Sequence, residues 1–188
     1  MVSNNKRITS RGLLVIQDES GKECLALVHR LKPSKTDPVF LDDYYVVPGG
    51  GVEEGEEAEE TVVREIQEEL GIRVDIIRLL YTQEDDTNAH YYFLCKYVYG
   101  EFGAGDGPEF TDPEHIKNGG QYIPTLIPLT EIHNINLVPT ELKNALQNDL
   151  TLSEYKVMDI KYRDISTLQK SQKGKMAGLE NYSTDKVF

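Results

Sequence analysis

Apolar positions along the chain fall into short blocks with two different periods. "RGLLVIQD" and "ECLALVHR" are apolar runs joined by "ESGK", a pairing that predicts a β-hairpin. A loop with two prolines, "LKPSKTDPVFLDD", leads into the strand-like "YYVV". Beyond it the period lengthens. Val62, Ile66 and Leu70, widened by Ala58 and Val63, fall on one stripe at about 100° per residue, which suits a helix packed on a sheet. That helix is expected to begin near Glu56 or Glu57 and to stop at Gly71, a natural left-handed cap.

"IRVDIIRLLYTQ" then alternates as a strand, "EDDTNA" turns the chain, and "HYYFLCKYVYG" is a second, aromatic strand. The glycines, prolines and acids of "EFGAGDGPEFTDPEHIKNGG" mark a long loop, of a kind that often carries function. "QYIPTLIPL" resumes as a strand. "VPTELKNALQNDL" predicts a second helix, with Thr140 as N-cap and Leu142, Ala145, Leu146 and Leu150 on one stripe. Residues 1–150 therefore read as one α/β domain. Residues 151–188 read as a C-terminal arm or tail, ordered through "LSEYKVMDIKY" and loosely held after it, or packed at a dimer interface. Residues 161–188 carry six Lys or Arg against three Asp or Glu, which suits an acidic partner subunit.

At 188 residues the chain can bury a core without staples. Its net charge of −12 argues against a nucleic-acid polymer, because nothing offsets the phosphate repulsion. A small phosphorylated ligand stays compatible if a divalent cation mediates. Cys24 and Cys95 sit in apolar strand-like runs without a CxxC partner and read as core residues of a reducing compartment. The N-terminus has only a five-residue apolar run, too short for a signal sequence, and no stretch approaches membrane-spanning length. A cytoplasmic protein is expected.

The first helix raises a chemical question. Residues 49–72 hold nine glutamates in twenty-four positions. Glu56 and Glu57 meet the positive end of the helix dipole, but Glu68 and Glu69 sit at its negative end. Like charges at this spacing cost roughly 0.2–0.5 kcal/mol per pair. Glu65, Glu68 and Glu69, at i, i+3 and i+4, occupy an arc beside the apolar stripe. Such an arc is either a solvated acidic face or an oxygen-only site for a hard cation such as magnesium or manganese. Spacing alone leaves both readings open.

The wider pattern is more specific. Gly50, Glu56 and then Arg64-Glu65-Ile66-Gln67-Glu68-Glu69-Leu70-Gly71-Ile72 match nine defined positions over twenty-three residues. In these positions, and in the preceding "PGG" from Pro48, the chain resembles the Nudix (MutT-like) hydrolases over roughly residues 8–150. The resemblance implies a Nudix-like α/β/α sandwich with a mixed β-sheet, and Mg²⁺ or Mn²⁺ as cofactor. It implies metal-binding carboxylates at Glu65, Glu68 and Glu69, an auxiliary one at Glu56, and an orienting arginine at Arg64. Gly49 and Gly50 would line the substrate. The activity implied is hydrolysis of a nucleoside diphosphate linked to another group, such as an NTP, an oxidised NTP, ADP-ribose or a sugar nucleotide. Catalytic residues would be Glu68, Glu69 and Arg64, with the general base at Glu68, Glu109 or Glu114.

Substrate contacts are less legible. Arg11 is a candidate for a phosphate, or a surface residue. Tyr92, with Tyr44, Tyr45, Tyr91 and Phe93, is a candidate for base stacking, or core. His29 and His90 could donate to a substrate or serve structure, and nothing suggests a zinc site. An isopentenyl diphosphate isomerase would need a catalytic cysteine ahead of the signature, and Cys24 in mid-strand does not resemble it. An RNA cap hydrolase lacks support without a basic groove. The non-enzymatic alternative is a Nudix-fold module that binds a nucleotide and regulates a partner. The resemblance is also compatible with a homodimer.

Overall fold

The computed structural model describes residues 6–34, 41–114, 119–150 and 163–166. The expected arm "LSEYKVMDIKY" and the end of the tail lie outside the described residues.

The first hairpin forms as its pattern dictates. Strand β1 (Arg7–Gln17) pairs antiparallel with β2 (Glu23–Pro33), with Val15 opposite Leu25. Asp18 closes the turn by accepting from the backbone N–H groups of Ser20 and Lys22, each at 2.9 Å. Beyond β1 and β2 the chain adds β3 (Leu41–Val46), the short β4 (Gly49–Gly51), helix α1 (Ala58–Leu70), β5 (Ile72–Glu84) and β6 (Asn88–Gly100). A helical turn α2 (Pro108–Thr111) interrupts the long loop. Then follow β7 (Gln121–Pro128), a 3₁₀ turn (Leu129–Asn134), β8 (Leu137–Val138), helix α3 (Thr140–Leu150) and β9 (Arg163–Asp164).

Among the described residues these strands make one nine-stranded sheet, in the order β8-β3-β2-β1-β6-β5-β9, with β4 on β1 and β7 on β2. It is mixed. β1 runs parallel to β6 from Arg7–Asn88 to Leu14–Cys95, whereas β5 and β6 are antiparallel. The 2.0-residue period of the strands divides the core in two. Leu14, Ala26 and Val28 face α1 with Val62, Ile66 and Leu70. Leu13, Leu25 and Leu27 face the other way, onto Leu142, Ala145 and Leu146 of α3. Helices therefore cover both faces of a mixed sheet, the α/β/α arrangement expected. Each fully buried leucine contributes about 1.5–3 kcal/mol.

Two details differ from the sequence reading. Thr140 is the first residue of α3 rather than its cap, and the Pro139 carbonyl accepts the Lys143 N–H at 3.2 Å. Part of the tail also joins the domain. Arg163 and Asp164 pair parallel with Tyr81 and Thr82 of β5, and Ile165 is fully buried in the α3-side core. Arg163 Nη2 donates to Asp149 at 2.7 Å, which ties this strand to α3. Cys24 and Cys95 are both free and buried, as read from their apolar settings.

Candidate active site

Helix α1 is anchored at both ends. The Glu60 carboxylate accepts the Glu57 N–H at 3.1 Å, satisfying an orphan donor of the first turn. At the other end Gly71 adopts φ 74°, a left-handed cap, and its N–H reaches the Gln67 carbonyl. The loop after β6 then supplies two further donors: Gly103 N–H to Leu70 O at 2.9 Å and Gly107 N–H to Glu68 O at 3.1 Å. An ideal Cβ on Gly105 would lie 2.5 Å from Glu68 O and 2.6 Å from Glu69 O. Only glycine permits this seat. The loop is thereby registered against the last turn of α1, the turn that bears Glu68 and Glu69.

Arg64 organises the acids. Its Nε and Nη2 donate to the two oxygens of Glu56 at 2.8 and 3.0 Å, a planar two-point grip. Nη1 donates to Glu65 at 3.0 Å and to Glu68 at 3.1 Å. One guanidinium thus spans three carboxylates. Its bond to Glu56 holds that carboxyl at about 2, well below the usual range, with help from Thr61 and the Glu53 N–H. The guanidinium is correspondingly made harder to deprotonate.

Glu69 stands apart from this network. It is only 5% exposed, and its Oε2 accepts the Gly49 N–H at 2.8 Å. Burial pushes its carboxyl up to about 8; the Gly49 N–H and the Arg11 charge oppose that, and the Glu65 and Glu109 charges add to it. Burial also raises Glu65, against the pull of Arg64. Gly50 lies against the Glu65 carboxylate so closely that a Cβ there would collide with it. Gly49 has φ 138°, and a Cβ would collide with the Ser10 carbonyl. Gly50 is therefore required by contact, and Gly49 by contact as well as by conformation.

Of the three base candidates, the structure brings Glu68 and Glu109 to the cluster. A Cβ on Gly107 would lie 2.7 Å from Glu109 Oε2 and 3.1 Å from Glu68 Cβ, so the Glu109 carboxylate borders the last turn of α1. Glu109 Oε2 is buried and has no hydrogen-bond partner among the described residues. Glu114 instead is exposed, beyond α2, with its N–H bonded to Asp112.

Arg11 is near but engaged. Its Nη1 donates to the carbonyls of Val47 at 2.8 Å and Gly49 at 3.1 Å, clamping the glycine loop on which Glu69 depends. Tyr92 is a correction. It is 0% exposed within the α3-side core, and its hydroxyl donates to Gln83, so its ring cannot serve as a stacking platform. The alternation of β6 turned it inward, on the face away from α1. Sequence reasoning also passed over Arg30, whose guanidinium lies over the Tyr122 ring at 3.3 Å. The signal lay in cross-strand register, which a single strand does not display.

The donor set suits a hard cation: carboxylate oxygens only, with a buried oxygen of Glu109 lacking a partner among the described residues. Among the described residues no three acidic, histidine or cysteine side chains are already grouped to hold a metal. The reason is local. Arg64 grips Glu65 and Glu68, and the Gly49 N–H holds Glu69. Also among the described residues, no helix is long and apolar enough to cross a membrane.

Comparison with known proteins bears on the fold. No curated protein sequence matches the chain. An ADP-ribose pyrophosphatase from Streptococcus suis superposes with a TM-score of 0.52 and 17% identity, covering 85% of this chain and 99% of the other. A NUDIX hydrolase from Nitrosomonas europaea gives 0.52 and 17%, over 85% and 98%. A NUDIX-family hydrolase from Clostridium perfringens gives 0.51 and 16%, over 78% and 99%. At such identities the likeness is one of fold. The model of the NUDIX domain matches residues 6–125, more than half of the chain and the whole of the glycine loop and α1. With the signature residues gathered around Arg64 and Gly49, the chain belongs to the NUDIX domain family.

Proposed function

We propose that the protein is a divalent-metal-dependent pyrophosphohydrolase that cleaves the phosphoanhydride of a nucleoside diphosphate derivative. The observation that carries this reading is the single guanidinium of Arg64 bridging Glu56, Glu65 and Glu68 beside a buried Glu69. Four carboxylates on or before α1 (Glu56, Glu65, Glu68 and Glu69), with Glu109 beside its last turn, lie around one arginine that does not balance them. A bound cation would.

Glu65, Glu68 and Glu69 would hold Mg²⁺ or Mn²⁺, with Glu56 acting through Arg64. When bound, the cation supplies charge neutralisation to the diphosphate and Lewis acidity toward water. The chain's own residues do the rest. Arg64 fixes the directions of Glu65 and Glu68, and the Gly49 N–H fixes Glu69. Gly49 and Gly50 keep the backbone free of side chains where the diphosphate approaches. Glu109, with its unpartnered oxygen beside Glu68, takes the proton of the attacking water. The products are a nucleoside monophosphate and the phosphorylated remainder. The ADP-ribose pyrophosphatase among the similar folds makes ADP-ribose a natural first member of a substrate panel with NTPs, oxidised NTPs, sugar nucleotides and dinucleoside polyphosphates.

Phosphate release or product chromatography on that panel, with and without Mg²⁺, tests the reaction. Hydrolysis that requires the cation and falls by orders of magnitude in Glu69→Gln supports it. Full activity in that variant removes Glu69 from the reaction, and no hydrolysis by the wild type favours the nucleotide-binding regulatory module.

A further inference from the structure

Arg64 orients Glu65 and Glu68 by direct bonds, whereas Glu69 takes its direction from the Gly49 N–H. That acid is only as well placed as the glycine loop. The loop has little to hold it from within. Pro48 has no N–H to donate, and Gly49, at φ 138°, has no side chain to limit its backbone. Its shape must be imposed from β1. Gly49 stands opposite Arg11 and Gly50 opposite Ser10 in the ladder of β4 with β1, and the Gly12 N–H donates to the Pro48 carbonyl at 2.9 Å.

Arg11 closes the arrangement. One nitrogen of its guanidinium, Nη1, reaches the Val47 carbonyl at 2.8 Å and the Gly49 carbonyl at 3.1 Å, and so spans the turn at Pro48. Its stem lies against the same glycine: a Cβ on Gly49 would stand 2.6 Å from Arg11 Cα and 3.0 Å from Arg11 Cγ. The neighbours of Arg11 secure the helix instead. The Ser10 hydroxyl donates to the carbonyl of Ala58, the first residue of α1. Gly12 leaves room for the Ile66 side chain, with which a Cβ would collide. By strand alternation Ser10 and Gly12 share the α1 side with Leu14, while Arg11 shares the other side with Leu13. Three consecutive residues of β1 therefore fix α1 and the glycine loop relative to each other.

We propose that Arg11 is the positioning residue of Glu69, acting through the glycine loop: by holding the Val47 and Gly49 carbonyls it keeps the Gly49 N–H aimed at the carboxylate. Arg64 and Arg11 then divide the acid cluster, one by side-chain bonds and the other through the backbone. This role deepens the proposed reaction and rests on it for the cation at Glu69, whereas the hold on the loop stands without any ion. Two hydrogens on one planar nitrogen match two carbonyls two residues apart, and the ammonium of a lysine lacks that fixed plane.

The test uses the full chain and two readouts: amide hydrogen exchange at Gly49 without divalent ions, and Mn²⁺ affinity without nucleotide. Arg11→Met keeps the apolar stem and removes the donors. Its Gly49 amide should exchange about tenfold faster or more relative to that of Leu25, a strand residue between β1 and β7. Mn²⁺ affinity should fall about 10–100-fold, the usual cost of losing a group that orients a metal ligand. Arg11→Lys, with a charge and a donor but no fork, should fall between wild type and Arg11→Met, and it carries the test where Arg11→Met does not fold. Ile165→Ala, three strands from β1 in the sheet, supplies a control that loses stability only and should change neither readout. A Gly49 amide that exchanges as in the wild type overturns the proposal, and is the result expected if Arg11 only contacts a phosphate. Unchanged Mn²⁺ affinity beside a freed Gly49 amide overturns it too, as does an equal loss of both in Ile165→Ala. A wild type that binds no Mn²⁺ defeats the metal reading of the acid cluster alone, because the exchange is measured without the ion.

Discussion

The backbone N–H of Gly49 donates to the Glu69 carboxylate across twenty residues of sequence, at 2.8 Å and out of contact with water. One bond thus joins the glycine loop to the last turn of α1. A buried carboxylate with a single hydrogen bond is costly to ionise, which is why burial pushes Glu69 up to about 8.

The linkage has a definite sign. A carboxyl raised on folding binds its proton more tightly in the folded chain than in the unfolded one. Its ionisation therefore costs stability as pH climbs from the ordinary carboxylate range, about 4.3, toward about 8. Glu69→Gln removes that cost and keeps an acceptor for Gly49. Without divalent ions, Glu69→Gln should melt higher than the wild type at pH 8, with a smaller gain at pH 5. Differential scanning at both pH values checks this. A gain that is equal at both, or larger at pH 5, contradicts the buried-acid reading.

Arg64 gives a second expectation. Lysine keeps the charge but offers a point donor in place of a fork, so it cannot grip both Glu56 oxygens and still span Glu65 and Glu68. Arg64→Lys should lower stability by about 1–3 kcal/mol, the cost of lost charged hydrogen bonds. kcat should fall far more than KM rises, because the carboxylates lose their directions. Denaturant titration and steady-state kinetics on one preparation separate the two effects.

What was legible in the sequence follows from which forces are local. The 3.6-residue stripe of Val62, Ile66 and Leu70 and the cap at Gly71 are properties of neighbouring residues, and both appear as read. The crowding of Glu65, Glu68 and Glu69 was visible for the same reason. Tyr92 was misplaced because an aromatic strand residue reads alike on either face, and only the pairing of β1 with β6 decides which face α3 covers. Arg30 went unnoticed because its partners come from β3 and β7, which are far away in sequence. The seat of Gly105 and Gly107 on α1 is equally a tertiary fact. In the long loop composition indicated a loop but not its anchor.

Gly50 offers a test of contact without charge. A Cβ there collides with the Glu65 carboxylate, which is also held by Arg64 Nη1 and cannot yield freely. Gly50→Ala should leave the melting temperature within a few degrees, since its backbone is not in the left-handed region. Divalent-ion affinity in the presence of nucleotide should nevertheless fall at least tenfold. Gly49→Ala, at φ 138°, should instead lower stability outright. Ion titration beside thermal melting tells the two glycines apart, and equal behaviour would refute the distinction.

Glu109, the proposed base, carries a further expectation. Its segment is fixed to α1 by the Gly107 N–H and by the close seat of Gly105, and its buried Oε2 has no partner among the described residues. An acceptor so placed beside Glu68 is suited to a water that only the reacting complex contains. Glu109→Gln is close in shape and cannot take a proton. If Glu109 is the base, kcat should fall about 10²–10⁴-fold with little change in KM, and the rising acid limb of the rate profile should flatten. Gly105→Ala, which moves the loop without altering its charges, should lower kcat while retaining that limb. A Glu109→Gln profile that coincides with the wild type in height and shape would return the role to Glu68, the other carboxylate within reach.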